Sequence, residues 1–134
     1  MKSKAPLVLL EQLIMLLVFA LAATACLGIL TAAHNIRLSA QRQDDAVFLA
    51  QNSAEIVKCH AGNLQKASDA MGGILKEDTL YIFGNDGLYL QIQKTESPVS
   101  GLGQAELRAL HEDASSDVLF SLTVCWQEVS SHEP

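Results

Sequence analysis

The sequence predicts an α+β fold in which one long N-terminal helix, with a transmembrane half and an extracytoplasmic half, packs on a small antiparallel sheet of about four strands. Three observations support this fold class. Residues 7–33 are almost continuously apolar, residues 34–61 keep a helical spacing, and the pattern then changes to alternating strands joined by turn residues. At 134 residues the chain has room for one membrane segment and one small domain. We therefore divide it into a basic leader (1–6), a transmembrane helix (7–33), its extracytoplasmic continuation (34–61) and a small α+β domain (62–134).

The apolar segment is long enough to cross a bilayer. About twenty apolar residues span the hydrocarbon core as a helix, and only four residues of the segment carry polar side chains: Glu11, Gln12, Thr24 and Thr31. Pro6 stands immediately before it, at a position where the missing N–H costs a helix nothing. The segment therefore predicts a retained single-pass transmembrane helix.

The distribution of charge predicts the orientation of this span. Lys2 and Lys4 precede it, whereas fourteen of the fifteen acidic residues and seven of the nine basic ones lie from His34 onward. Positive charge before a span and an acidic domain after it favour an N-terminus inside and a C-terminal domain outside the cytoplasmic membrane. The acidic outer part also argues against nucleic acid as a partner.

Glu11 is an acid inside the apolar segment. A charged side chain in a bilayer is costly, and such residues usually face a partner rather than lipid. We therefore expect Glu11 to contact another subunit of a membrane-embedded assembly. The alternative is an interfacial acid near the cytoplasmic end of the span that is partly hydrated.

Small residues recur at every fourth position within the span. Such a ridge lets a second helix approach closely, although chance spacing in an Ala-rich helix explains it equally well. The ridge residues are Ala20, Thr24, Gly28 and Ala32.

Two processing signals compete with a retained span. Thr-Ala-Ala at 31–33 could serve as the exit site of a secretory signal peptide, which would release a secreted domain after Ala33. Ala-Thr-Ala-Cys at 23–26 faintly resembles a lipoprotein cleavage box. The apolar core is too long for a signal peptide and contains Glu11, and it continues beyond Cys26. We therefore favour the retained helix.

The helical pattern continues beyond the membrane segment. No Gly or Pro interrupts residues 29–61, and small or apolar residues at steps of three or four predict one buried helix face: Ile36, Ala40, Gln43, Val47, Ala50, Ala54, Val57 and Ala61. A single helix from about Leu7 to His60 would be roughly 80 Å long at the usual rise per residue. Gly62 and Asn63 are typical residues to end it.

The rest of the chain has the pattern of a half-buried sheet. A short amphipathic stretch at 64–71 comes first and is stopped by two glycines. The strands follow at 79–83, 88–94, 104–111 and 118–126. The Gly-Asn-Asp-Gly between the first two predicts a hairpin. Residues 104–111 also fit a helix, and we favour a strand because residues 112–116 resemble a second hairpin turn.

No pattern of catalytic or ligand-binding residues stands out. The four His residues have no metal-ligand spacing, and no Ser lies in a nucleophile-elbow context. We expect no catalytic, metal or cofactor site and no small-molecule ligand. Cys59 and Cys125 could form a disulfide in an oxidising compartment. The alternative, favoured because an odd number of cysteines gives no framework, is two semi-buried free thiols.

The N-terminal segment resembles the type IV prepilin signature, in which a short basic leader precedes an apolar helix with Glu at its fifth position. The match runs from Leu7 to Glu11, with Lys2 and Lys4 in the leader. A long helix followed by a compact antiparallel sheet is also similar to the pilin and pseudopilin architecture. Residues 50–55 resemble the outer half of that helix in minor pseudopilin-like proteins. The resemblance covers the chain in outline, and only its first dozen residues carry a motif.

The resemblance implies a processing site and a role for Glu11. In that family a prepilin peptidase cuts before the first apolar residue, the new amine is methylated, and the fifth-position Glu meets the amine of a neighbouring subunit. Carried over, the cut falls between Pro6 and Leu7, and Glu11 sets the register of assembly. The chain departs from the family at both sides of the cut, since Pro6 replaces the usual Gly or Ala and Leu7 the usual Phe or Met. A cut after Ala5 would place Glu11 sixth and fits no better.

The implied function is that of a structural, non-catalytic minor pilin or pseudopilin-like subunit of a type II secretion, competence or type IV pilus assembly. Its partners would be other pilin-like subunits and the membrane. The alternative is an uncleaved single-pass protein whose outer domain binds another envelope protein. Glu11 and the continuous helix favour the first interpretation, and Pro6 favours the second.

Overall fold

A computed structural model describes residues 4–128 of the protein, the side chains of residues 114–116 aside. Lys2 of the expected leader and the end of the expected C-terminal domain, 129–134, lie outside the described residues. The chain forms two compact units, Met1–Ala40 and Gln41–Pro134. The helices are α1 (Ala5–Cys59) and α2 (Leu64–Met71), and the strands are β1 (Ile74–Lys76), β2 (Thr79–Phe83), β3 (Leu88–Thr95), β4 (Leu102–His111) and β5 (Ala114–Gln127). The protein is therefore an α+β protein with a long N-terminal helix and an antiparallel sheet, as the sequence predicts.

Small side chains on the second half of α1 pack against the sheet. The buried residues of this helix are Ala46, Ala50, Ser53, Ala54 and Val57. Three of them, Ala50, Ala54 and Val57, belong to the predicted buried face. The predicted face extends too far at both ends. Ile36, Ala40 and Gln43 are exposed because burial begins only at Ala46, and Ala61 lies beyond the end of α1 and is exposed as well.

A tight turn with left-handed backbone ends α1 and starts α2. Ala61 and Gly62 have φ angles of 48° and 74°, and the Gly62 N–H donates to the Val57 carbonyl at 2.9 Å. Asn63 is the N-cap of α2, and its side chain accepts a hydrogen bond from the backbone N–H of Lys66 at 3.1 Å. The bounds of α2 agree with the predicted helix at 64–71, and Gly72 ends it with a φ of 68°.

The sheet is an antiparallel meander of five strands in the order β1-β2-β3-β4-β5. The prediction of about four strands omitted β1, which is only three residues long and therefore too short for a visible alternation. Its turn also lacks a sequence signal. Glu77 and Asp78 both have positive φ, 48° and 61°, at positions where Gly or Asn is the usual residue.

The strand prediction for residues 104–111 is confirmed, because β4 covers them and pairs with both β3 and β5. The hairpin turn after it is shorter than expected. His111 pairs with Ala114, so that only Glu112 and Asp113 form the turn, and β5 begins four residues before the predicted strand at 118–126.

The core lies between α1, α2 and one face of the sheet. Its fully buried large side chains on the strands are Leu80, Leu90, Ile92 and Leu107. Trp126 closes the core near the end of β5 and is 7% exposed. Its indole ring lies against Gly62 of the α1–α2 turn and Gly103 of β4, and Lys94 Nζ lies 5.9 Å from the ring centroid.

Candidate functional site

The first unit presents an apolar surface that nothing in the described chain covers. Within residues 4–128, α1 is the one helix long and apolar enough to cross a membrane; its most apolar 18-residue window has a mean hydropathy of 2.7 and no buried residue. Side chains such as Leu9 and Phe19 are exposed by 70% and 74%. A continuous apolar surface of this extent marks a contact with lipid or with other proteins. This helix is therefore a candidate membrane span.

Of the four polar side chains in the candidate span, the two threonines form hydrogen bonds inside the helix. The Thr24 hydroxyl donates to the Leu21 carbonyl at 2.8 Å, and the Thr31 hydroxyl donates to the Leu27 carbonyl at 2.7 Å. Neither threonine therefore needs a partner in lipid. Glu11 is exposed and forms no ion pair with any residue of the described part. Gln12 likewise has no side-chain hydrogen bond among residues 4–128, but Glu11 is the one acid of the candidate span, and a charge costs more in lipid than an amide.

Glu11 lies opposite only the first part of the ridge of small residues. Lys4, Leu7 and Glu11 line one side of the helix near its N-terminus. Ala20 follows Glu11 by about two and a half helical turns, which places the two on opposite sides. Residues four apart drift around the helix, so Ala32 at the other end of the ridge lies only about 60° from the side of Glu11.

The ridge is open to a second helix. All four of its residues are exposed, and a Cβ added at Gly28 would meet no atom within 4 Å. The predicted processing position is also accessible, because Pro6 and Leu7 lie in the exposed first turn of α1.

All three cysteines are free thiols with exposed side chains. Cys59 and Cys125 form no disulfide with each other. They are free thiols, as the favoured alternative expects, but that alternative is wrong about their burial, because both side chains are exposed rather than semi-buried. Cys125 alternates with the buried Val124 and Trp126. Because successive side chains of a strand point to opposite faces, Cys125 lies on the face of the sheet away from α1, whereas Cys59 ends that helix.

The outer face of the sheet carries an apolar row that sequence reasoning missed. Phe83 pairs with Tyr89, Tyr89 with Leu110, and Leu110 with Val118 across four strands. Leu110 is buried, while Phe83 and Val118 remain exposed by 64% and 45%. These four side chains lie side by side because of the register between neighbouring strands. The sequence of a single strand does not show that register.

The same face carries an exposed ion pair on β4. Arg108 donates two hydrogen bonds to the Glu106 carboxylate, at 2.9 and 3.0 Å. The hydrogen bond and the negative charge of Glu106 raise the pKa of Arg108. Because arginine is already charged at every physiological pH, this pair adds no pH dependence in that range.

Few titratable groups converge elsewhere in the described part. His111 Nδ1 accepts a hydrogen bond from the Asp113 N–H at 3.3 Å, and its Nε2 is buried without a partner among residues 4–128. No three His, Cys, Asp or Glu side chains within those residues could hold a metal ion together. No family model, no curated protein and no solved structure matches this chain.

Proposed function

We propose that this chain is a structural minor pilin or pseudopilin-like subunit, without catalysis of its own, of a type II secretion, competence or type IV pilus assembly. One observation carries the proposal. A single helix, Ala5–Cys59, contains an apolar segment with an acid that has no ion-pair partner among residues 4–128 and, farther along, the small residues that pack on an antiparallel sheet. An ordinary membrane anchor would be more stable in lipid without Glu11.

The chemistry of Glu11 supports a contact between subunits. A carboxylate in lipid requires a cation, and the amine released by cleavage before Leu7 would be one. Leu7 and Glu11 are four residues apart, or roughly 6 Å along the helix. A neighbour displaced by about one helical turn would bring its own terminal amine level with Glu11. That displacement would set the register between successive subunits.

The charge pattern supports a location in a bacterial cytoplasmic membrane, with the N-terminus inside and the sheet domain outside. Lys2 and Lys4 precede the span, and the acidic excess follows it. The partners would then be other pilin-like subunits, the lipid bilayer and a prepilin peptidase that cuts between Pro6 and Leu7.

A second candidate function rests on Pro6. With proline at the position where the family has Gly or Ala, the leader could remain attached. The protein would then be an uncleaved single-pass protein whose extracytoplasmic domain binds another envelope protein.

The first experiment is intact mass and N-terminal sequencing of the protein purified from its own membrane. A start at Leu7, with the mass of one added methyl group, is the expected result. A start at Met1 would contradict cleavage and support the uncleaved anchor.

A second experiment tests the contact at Glu11 through a matched pair of variants. Glu11→Gln removes the charge from the span, whereas Gln12→Leu changes the adjacent polar residue and leaves Glu11 in place. Chemical cross-linking of neighbouring copies in native membranes should fall for Glu11→Gln and persist for Gln12→Leu. Equal cross-linking by the two variants would contradict a role of Glu11 in assembly.

A further inference from the structure

β5 is an edge strand with one side unpaired. It pairs with β4 along its length, and β4 and β5 are the last two strands of the sheet order. No strand among residues 4–128 lies on its other side. An edge of this kind presents unpaired backbone N–H and C=O groups to any extended chain that approaches it.

The hydrogen-bond pattern identifies the residues of β5 whose backbone groups face outward. The Glu128 N–H donates to the Gly101 carbonyl at 3.0 Å, so this pair is hydrogen-bonded. Opposed residues of an antiparallel ladder alternate between hydrogen-bonded and non-hydrogen-bonded pairs. The pairs that follow, from Leu102↔Gln127 to Arg108↔Ser121, therefore alternate in type. The outward residues are Ser121, Thr123, Cys125 and Gln127.

This edge lacks the features that protect edge strands from pairing. Such strands are commonly very short or carry Lys or Pro. The opposite edge has both protections, because β1 is three residues long and contains Lys76. β5 has fourteen residues, and none of those from Val118 to Gln127 is charged or proline.

The two faces of β5 differ in what they would require of an incoming strand. On the side of α1, Phe120 and Leu122 pack against the core but are only partly buried. On the other side, Ser121 and Thr123 are exposed. An incoming strand with apolar residues facing α1 and polar residues facing outward would complete the burial of Phe120 and Leu122.

The ends of this uncharged stretch are acidic. Asp117 precedes it and Glu128 follows it, and both side chains are exposed. Antiparallel pairing of two copies of β5 would bring the Asp117 end of one strand toward the Glu128 end of the other. Like charges that face each other across strands are destabilising. The charges therefore fit a different polypeptide better than a second copy of this chain.

We propose that the free edge of β5 binds an extended segment of another protein, which alternates apolar and uncharged polar residues and carries a basic residue near each end. The segment would add a sixth strand to the sheet through backbone hydrogen bonds to Ser121, Thr123, Cys125 and Gln127. This contact lies on the outer domain and does not depend on Glu11 or on cleavage of the leader.

The probe for this proposal is a fluorescent peptide with blocked termini, in which Val and Thr alternate between a Lys at each end. Its binding to the detergent-solubilised full chain is measured by fluorescence anisotropy. Thr123→Pro removes one outward N–H and leaves the ladder to β4 intact, because proline is tolerated at such an edge position. We expect it to weaken binding about tenfold or more, while Thr123→Ser binds like the wild type.

Two further measurements keep the test decisive even if Thr123→Pro disturbs the strand. The double variant Asp117→Asn/Glu128→Gln should weaken binding of the Lys-ended peptide but not of a version with Gln at both ends. Thr123→Cys should form no intermolecular disulfide with Cys125, although antiparallel self-pairing with these residues opposed would place the two Cα atoms about 5.5 Å apart.

Three results would overturn the proposal. The first is no saturable binding to the wild type while Trp126 fluorescence reports an intact core. The second is undiminished binding by a folded Thr123→Pro variant. The third is efficient cross-linking of Thr123→Cys, which would assign the edge to a second copy of this chain.

Discussion

At the scale of single residues, Trp126 joins the turn after α1 to the sheet. Its ring fills the space beside Gly62 and Gly103, where an added Cβ would overlap the indole. Gly62 also needs its glycine because its φ is +74°. The sequence identifies Gly62 as a helix-ending residue, but nothing in the spacing of Gly62, Gly103 and Trp126 along the chain indicates that the three meet.

Gly103→Ala tests this contact without the added effect of a positive φ. The new methyl group overlaps the Trp126 ring, and such overpacking typically costs about 1–3 kcal/mol. We expect the midpoint of thermal unfolding of the second unit, measured by calorimetry on the solubilised chain, to fall by several degrees. In a Trp126→Leu background the same substitution should have a much smaller effect. An equal loss in both backgrounds would show that Trp126 is not the cause.

At the scale of elements, the small residues in the two halves of α1 differ in their surroundings. In the second half, Ala46, Ala50 and Ala54 are buried in the core that the helix shares with the sheet. In the first half, the ridge through Gly28 is exposed and is free to meet another helix. The sequence pattern is similar in both halves, so the pattern alone does not distinguish an internal contact from an external one.

Ala50→Leu should destabilise the packing of α1 on the sheet. Ala50 is fully buried, and its enlargement to Leu is expected to cost about 1–3 kcal/mol. The matched control is Gln51→Leu, which introduces the same side chain at the next, exposed position and should change stability by less than about 0.5 kcal/mol. Native-state hydrogen exchange of the sheet amides measures the change in stability for each of the two variants. Equal protection in the two variants would contradict the packing.

Disulfide cross-linking tests whether a second helix packs on the ridge of small residues. It compares a cysteine placed on the ridge with one on the opposite side of the helix. Gly28 is part of the ridge, whereas Cys26 is two residues away and therefore points to nearly the opposite side. In membranes, Gly28→Cys combined with Cys26→Ser should form dimers on oxidation, because small residues let two helices approach within disulfide distance. The wild-type Cys26 should cross-link poorly. The reverse result would assign the packing face to the side opposite the ridge.

At the scale of the whole molecule, the native cysteines provide a test of the proposed orientation of the chain across the membrane. Cys59 and Cys125 have exposed side chains and belong to the part proposed to lie outside the cytoplasmic membrane. A membrane-impermeant maleimide added to intact cells that lack an outer-membrane barrier should label both. Cys59→Ser and Cys125→Ser should each remove one label. Labelling that requires lysis of the cells would contradict the orientation.

The sequence by itself determined the features that depend on local chemistry. The apolar length of residues 7–33 and the helical spacing after it predicted α1. The amphipathic stretch at 64–71, stopped by two glycines, predicted α2 correctly at both ends. Alternation and turn residues predicted the four longer strands. Glu11 was identified from the sequence alone, because a single charged residue stands out within an apolar segment.

Only the tertiary structure decided which residues meet across the chain. It added β1, whose turn at Glu77 and Asp78 lacks the usual glycine, and it separated Cys125 from Cys59 on different sides of the sheet. It also showed that no described strand pairs with the outer edge of β5, which depends on the order of the strands and not on the sequence of β5. The physical reason is common to these cases: register, strand order and close contact arise from pairing between distant segments, whereas periodicity and capping act within a few residues.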